Sequence, residues 1–272
     1  MNILVIGGNG RLGKRLVPAL WVAGHSVDAP LRVDCDATDA ESLADNLSIF
    51  KPDLVICLAA YADVVGCDKF PGSARQGNVI TTCAVGSVCH RGGVPWVWTS
   101  TDYVVAYGPT PAEPALDNCA PERLRANTAG IYSTTKAEGE AAAVRLGATV
   151  ARLAFCCPED ADKWTWVDGY NLASREWVDR TAARLALLVP LAAEGYNAGR
   201  IVHVGPVAGL DDGPLGPWRT REQLVRRRFG DTHPSLARVV RSPAERVLLG
   251  GGNGPGDTRF ADCDPRLALE PG

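Results

Sequence analysis

Ile3 to Ile6 is an unbroken apolar run, the pattern of a strand buried on both faces of a parallel sheet. Leu12 to Ala23 then repeats apolar residues at helical spacing and stops at Gly24, a natural C-cap. The same succession recurs along the first half of the chain. A short strand is expected around Ser26 to Ala29, and a helix over Asp39 to Phe50, capped by Thr38 or Asp39 with Pro52 beyond its end. Strands follow at Leu54 to Leu58, Val94 to Thr99 and Ala148 to Phe155, separated by helices over Ser73 to Arg91 and Ile131 to Leu146. Past residue 155 the pattern loosens into a helix at Glu176 to Leu191, a strand at Arg200 to Val204 and a helix at Arg221 to Phe229. The glycine-rich stretch Gly250 to Gly256 has neither a strand before it nor a helix after it. No internal repeat or low-complexity segment is present.

Alternating strand and helix implies a parallel sheet with right-handed crossovers and helices on both faces. Ligands of such sheets bind at the carboxyl ends of the strands. The residues just after each strand therefore carry the functional information. Gly7-Gly8-Asn9-Gly10-Arg11-Leu12-Gly13 follows the first strand and opens the first helix. Gly7 permits the tight turn, Gly10 lets the backbone approach a pyrophosphate, and Gly13 allows close helix packing. The helix N-terminus then presents N–H groups and a partial positive charge to the anion. Gly7, Asn9, Gly10, Arg11, Leu12 and Gly13 are thus the expected cofactor loop of a Rossmann-type, doubly wound α/β fold. Residues 1–155 form the dinucleotide-binding domain in this reading. Residues 156–272 form a small substrate-binding part, with segments returning to the sheet.

The second strand ends in Asp28-Ala29-Pro30-Leu31-Arg32, with no acid at the position that holds the ribose hydroxyls of NAD. Arg32 facing a 2′-phosphate favours NADP over NAD; an exposed loop arginine is the plainer alternative. Asp36 and Ala37 lie where the next loop passes the adenine, and Ala59, Ala60 and Tyr61 let the cofactor lie against the backbone after the third strand.

Thr99, Ser100, Thr101, Asp102 and Tyr103 fall at the end of the strand that begins at Val94. Thr99 is placed beside the cofactor and the next four residues beside the substrate. Tyr132 and Lys136 open the following helix, four residues apart and so on one face. A tyrosine of ordinary pKa is a poor acid–base catalyst at neutral pH; a neighbouring ammonium favours phenolate and brings it into range. The hydroxyl of Thr101 would then polarise a substrate carbonyl. The plain alternative is a half-buried tyrosine beside a surface lysine.

Composition narrows the field. Hydrophobic residues make up 46% and charged residues 22%, and the net charge of -3 gives no basic field for nucleic acid or an anionic membrane. Arg226-Arg227-Arg228 is a local run whose side chains would diverge on a helix. No segment is apolar over a bilayer-spanning length, and the N-terminus begins with a strand instead of a targeting peptide, so a cytoplasmic protein is expected. The nine cysteines form no Cys-x-x-Cys pair and no cluster with histidine, so no metal is expected. Cys57, Cys83 and Cys89 sit in apolar runs and read as reduced core residues, while Cys156-Cys157 reads as packing at a strand end.

Taken together, Gly7 to Gly13, Lys51 to Tyr61, Ser100-Thr101-Asp102-Tyr103-Val104, Tyr132 to Glu140 and Ala151 to Phe155 resemble the extended short-chain dehydrogenase/reductases. Within them the chain is most similar to the dTDP-4-dehydrorhamnose reductase family, for which Ser-Thr-Asp-Tyr-Val is specific. The resemblance implies a Thr101, Tyr132, Lys136 triad, hydride delivery from NADP or NAD, and Tyr132 as proton donor to the ketone of a nucleotide-sugar. Phe155 stands where that family places a tryptophan against the sugar. There are departures. Ala62 and Val64-Val65 replace the expected Thr and Val-Asp, with an acid returning only at Asp68. The stretch from Phe155 to Trp177 is short and holds Trp164, Trp166 and Tyr170, which either stack on a base or sugar or form a local core. Trp166 is carried as a substrate contact. Two other readings stay open: a nucleotide-sugar epimerase or dehydratase, and a non-catalytic subunit similar to the methionine adenosyltransferase regulatory subunit. Oligomeric state is left open, a homodimer included.

Overall fold

The computed structural model describes residues 1–101, 104, 130–153, 155–157, 166–168, 173–204, 218–219 and 239–241. Its strands are β1 (Asn2–Ile6), β2 (Ser26–Asp28), β3 (Leu54–Cys57), β4 (Trp96–Thr101), β5 (Thr149–Leu153), β6 (Phe155–Cys157), β7 (Trp166–Asp168), β8 (Ala173–Trp177), β9 (Arg200–Val204), β10 (Trp218–Arg219) and β11 (Val239–Arg241). The helices are α1 (Gly13–Val22), α2 (Ala40–Phe50), α3 (Val64–Lys69), α4 (Pro71–Arg75), α5 (Thr81–Gly92), α6 (Ile131–Arg145) and α7 (Val178–Ala193). A π-helical segment, Gln76–Ile80, joins α4 to α5.

Six strands form one parallel sheet in the order β2-β1-β3-β4-β5-β9. The apolar runs that predict β1 and β3 are buried on both faces because each alternate residue enters a different core. Ile3, Val5, Leu54, Ile56 and Val97 meet α1 and α7, whereas Leu4, Ile6, Val55, Cys57, Trp96 and Trp98 meet the side bearing α2, α5 and α6. Burying both faces supplies the main driving force for this architecture. The doubly wound α/β fold follows.

Several boundaries differ from the sequence reading. The strand expected at Val94 to Thr99 runs to Thr101, because its ladder with β5 continues through Ser100 to Arg152 and Thr101 to Leu153. Ser100 and Thr101 are therefore the last rungs of a strand, not the loop after it. The strand expected at Ala148 to Phe155 is two: β5 stays in the main sheet, while β6 pairs with β8 in a separate β10-β8-β6 sheet. The long helix expected at Ser73 to Arg91 starts at Pro71 and is interrupted by the π segment. Helix α3 has no counterpart in the sequence reading, since six residues carry too little periodicity. The helix expected at Glu176 begins at Val178, Glu176 being in β8. Arg221 to Phe229, Gly250 to Gly256, Trp164 and Tyr170 lie outside the described residues. Among the described residues no helix is long and apolar enough to cross a membrane.

One charged pair crosses the α6 side of the core. Arg152 of β5 donates from Nε and Nη2 to the two carboxylate oxygens of Glu140 on α6, and the two residues are 1% and 5% exposed. A bidentate pair of this kind is geometrically specific, and removing one partner strands the other charge away from water. Glu140→Leu is expected to lower unfolding stability by about 3–5 kcal/mol. The double variant Glu140→Leu/Arg152→Met should lose less than this single one. Urea denaturation measures both.

Candidate active site

The glycine loop is shaped by backbone proximity. Gly7 has φ +83°, and a Cβ there would stand 2.9 Å from the Ala59 nitrogen at the end of the neighbouring strand. At Gly13 an added Cβ would lie 2.3 Å from the Gly8 carbonyl oxygen, so α1 starts in contact with the loop itself. Gly10 is different. Its Cβ would meet only the Gly7 carbonyl oxygen, at 3.2 Å, and otherwise open space. This cradle, fixed by Gly10 N donating to Gly7 O at 3.0 Å, fits a pyrophosphate brought against the backbone.

A cleft of about 540 Å³ opens beside the loop, where β1 has β2 on one side and β3 on the other. That is the switch point at which open α/β sheets bind ligands. Gly7, Asn9, Arg32, Asp36, Ala37, Ala59, Ala60 and Tyr61 all line it, as the sequence reading expects. Asp36 is held by Thr38, whose N–H and Oγ1 donate to its Oδ1 at 2.9 and 2.8 Å; those bonds keep its carboxyl below the usual range. Arg32 extends into solvent, 80% exposed, with Nε 3.8 Å from Asp36 Oδ2. Cys35, 4% exposed, also faces the cleft, and burial followed by the Asp28 and Asp36 charges raises its thiol pKa.

The opposite wall consists of Ser73, Gln76, Gly77 and Thr81, which the sequence reading does not single out. They belong to α4, the π segment and α5. Helical periodicity locates such a helix, but a π turn re-phases its faces and leaves no sequence signature. The same segment carries Asn78, fully buried. Its Oδ1 accepts from Tyr61 N at 2.9 Å, while Nδ2 donates to Tyr61 O at 3.2 Å and to Thr135 Oγ1 on α6 at 3.0 Å. One amide thus ties the cleft loop to α6.

Helix α6 brings Tyr132 and Lys136 to the sheet. Gly130 provides no side-chain cap, and Asp68 of α3 accepts from Ile131 N at 3.1 Å instead. The acid displaced in sequence from the family pattern therefore anchors the turn that carries Tyr132. Tyr132 is half-buried. Lys136 is only 3% exposed, which removes the surface-lysine alternative. Its Nζ donates to Thr99 O at 2.7 Å and lies 3.9 Å from the centroid of the Trp98 ring. Burial lowers its pKa from 10.5 to about 8, partly opposed by Cys57, Glu140 and Cys67. Thr99 Oγ1 donates to Cys57 O, and Thr101 is 9% exposed.

Thr99, Thr101, Tyr132 and Lys136 gather around the ends of β4 and α6. The described lining of the cleft includes none of them, nor Gly10, Arg11, Leu12 or Gly13. Phe155 and Trp166 are placed on the small sheets, in register with Arg175 and Val239 respectively. Asp102 and Tyr103 lie outside the described residues. Cys35, Cys57, Cys67, Cys83 and Cys89 are unbridged; Cys57 and Cys89 are buried, while Cys83 is half-buried.

Residues 1–157 match the family described as RmlD substrate binding domain. A Haloferax volcanii protein named "Probable low-salt glycan biosynthesis reductase Agl14" is 36% identical over 115 residues, covering 38% of each chain. The dTDP-4-dehydrorhamnose reductase of Escherichia coli is 28% identical over 149 residues, covering 53% of this chain and 47% of that one. The chain thus matches about half, or less, of the length of these relatives. The dTDP-4-dehydrorhamnose reductase of Bacillus anthracis, solved with NADP, superposes with a TM-score of 0.61 at 20% identity, covering 78% of this chain and 75% of that one. The UDP-glucose 4-epimerase of Thermotoga maritima gives 0.68 at 19% identity, covering 100% and 94%. At such identities the two structures speak for the fold.

The loop geometry separates two glycines. Gly13→Ala is expected to cost about 1–3 kcal/mol, since backbone must move to admit the methyl group, whereas Gly10→Ala should stay within about 0.5 kcal/mol of the parent. Thermal or urea unfolding distinguishes them. Lys136 gives a pH signature. Between pH 8 and 10.5 the unfolded chain holds a proton on this lysine that the folded chain has released. Its contribution therefore makes the fold more stable as pH rises through that window. Lys136→Met should lack this component when stability is measured from pH 7 to 10.5.

Proposed function

The chain belongs to the RmlD substrate binding domain family, and on that premise we propose that it is a nicotinamide-dependent reductase of a 4-keto nucleotide-sugar. The observation that carries the proposal is the placement of Lys136, a buried ammonium on the sheet one helical turn from Tyr132, at the end of the strand next to the glycine-loop cleft. A buried ammonium one turn from a tyrosine favours its phenolate, which is what an acid–base tyrosine requires.

In this reading the Gly7 to Gly13 loop holds the pyrophosphate and Asp36 and Ala37 flank the adenine. Arg32 meets a 2′-phosphate, which makes NADP the preferred cofactor. Ala59, Ala60 and Tyr61 form the floor. When bound, the nicotinamide supplies the hydride. Tyr132 Oη donates its proton to the keto oxygen as the carbonyl carbon is reduced, leaving an alcohol, and regains a proton from solvent. Lys136 stabilises the intervening phenolate. Thr101 orients the carbonyl. Phe155, Trp166 and the rest of residues 156–272 are assigned to the sugar and base, together with Asp102 and Tyr103.

Tyr132→Phe removes one hydroxyl and leaves the helix intact. Turnover of a 4-keto-sugar nucleotide is expected to fall by about 10²–10⁴-fold with cofactor affinity retained. Cofactor oxidation followed spectrophotometrically against dTDP-, UDP- and GDP-linked 4-keto sugars measures it. Tight cofactor binding without turnover of any of them by the parent protein would favour the partner-binding reading. Equal rates for parent and Tyr132→Phe would defeat the mechanism.

A further inference from the structure

Strand β4 sends alternate side chains to opposite faces of the sheet. Val97 enters the core under α1 and α7, and Trp96 and Trp98 enter the core under α5 and α6. By the same period of two, Ser100 faces α6. Its registered neighbour on β5 agrees: Ser100 lies opposite Arg152, whose guanidinium reaches Glu140 on α6. Ser100 and Trp98 thus share the surface against which the catalytic helix packs.

Their heights can be compared. Helix α6 runs from the carboxyl edge of the sheet back toward the amino edge, as a crossover between parallel strands must. Lys136 sits over Trp98. Moving four residues toward the start of α6 climbs about 6 Å and reaches Tyr132. Moving two residues along β4 climbs about 6.6 Å and reaches Ser100. Both steps lead toward the carboxyl edge, so Ser100 and Tyr132 lie on the same side of the contact between Lys136 and Trp98.

Ser100 is 4% exposed, and its Oγ has no hydrogen-bond partner among the described residues. Buried hydroxyls are almost always paired, because water has been removed and nothing else compensates. A lone hydroxyl toward the carboxyl edge of the sheet, one residue beyond the Thr99 carbonyl that holds Lys136, points to a ligand contact. We propose that Ser100 Oγ binds the carboxamide of the nicotinamide ring and so fixes the face of the ring turned toward the substrate. The proposal rests on the reductase reading above. Depth selects the ring: the substrate must lie outside the cofactor, and a hydroxyl this deeply buried meets the group lying against the sheet. A hydroxyl also matches a carboxamide chemically, since it can donate to the carbonyl oxygen or accept from the amide nitrogen.

The test compares parent and Ser100→Ala for melting temperature without ligand, and for affinity by fluorescence or calorimetry. The probes are NADPH and NADH and their ring-less counterparts, 2′-phospho-ADP-ribose and ADP-ribose. A hydroxyl that waits for the ring predicts an unchanged or higher melting temperature for Ser100→Ala. It also predicts about tenfold weaker binding of the preferred intact cofactor and unchanged binding of its ring-less fragment. Equal affinity of parent and variant for the intact cofactor overturns the assignment. So does an equal loss for the ring-less fragment, which would mean a distorted site, or a melting temperature several degrees lower, which would mean a partner within the protein. Failure of the parent to bind either intact cofactor would bring down the reductase reading as well.

Discussion

The hydrogen bond from Lys136 Nζ to the Thr99 carbonyl, made beneath the face of Trp98, is the contact on which the site depends. It holds an ammonium where burial lowers its pKa to about 8, a tendency that Cys57, Glu140 and Cys67 oppose in part. Holding the charge there sets the height and rotation of α6 on the sheet. Tyr132, one turn earlier on the same helix, inherits its position from that anchor.

Three further contacts keep α6 in register. Asp68 holds the first amide of the helix, Asn78 holds Thr135, and Arg152 grips Glu140. They come from α3, the π segment and β5 respectively, so three different elements fix the helix at successive points along its length. The Asn78 amide also takes both backbone groups of Tyr61, at the floor of the cleft.

The sheet and most of its helices were legible because their sequences bury both faces or one stripe, and such patterns survive without tertiary information. Gly7, Asn9, Asp36, Ala37 and Ala59 to Tyr61 come together at one cleft because the loops after the first strands converge there. What was not legible depended on contacts between distant residues. Nothing near Asn78 announces that a π turn will rotate it inward, and Gln76 and Thr81 reach the cleft for the same reason. Asp68 looked like a misplaced acid until α3 brought it to the start of α6. Polar Ser100 and Thr101 resemble a loop in sequence; only their ladder with β5 makes them strand.

Strand β9 covers the outer edge of β5, and α7, which precedes it, packs with α1 over one face of the sheet. The stretch that matches the family, residues 1–157, stops short of both. A fragment cut there would keep the glycine loop and the Tyr132 helix but lay bare the β5 edge, with its backbone groups unpaired, and the Ile3, Val5, Leu54 and Ile56 surface. An uncovered edge beside an apolar face invites strand-to-strand association between copies. Deletion from the C-terminal side back to residue 157 is therefore expected to end in aggregation rather than in a smaller folded protein.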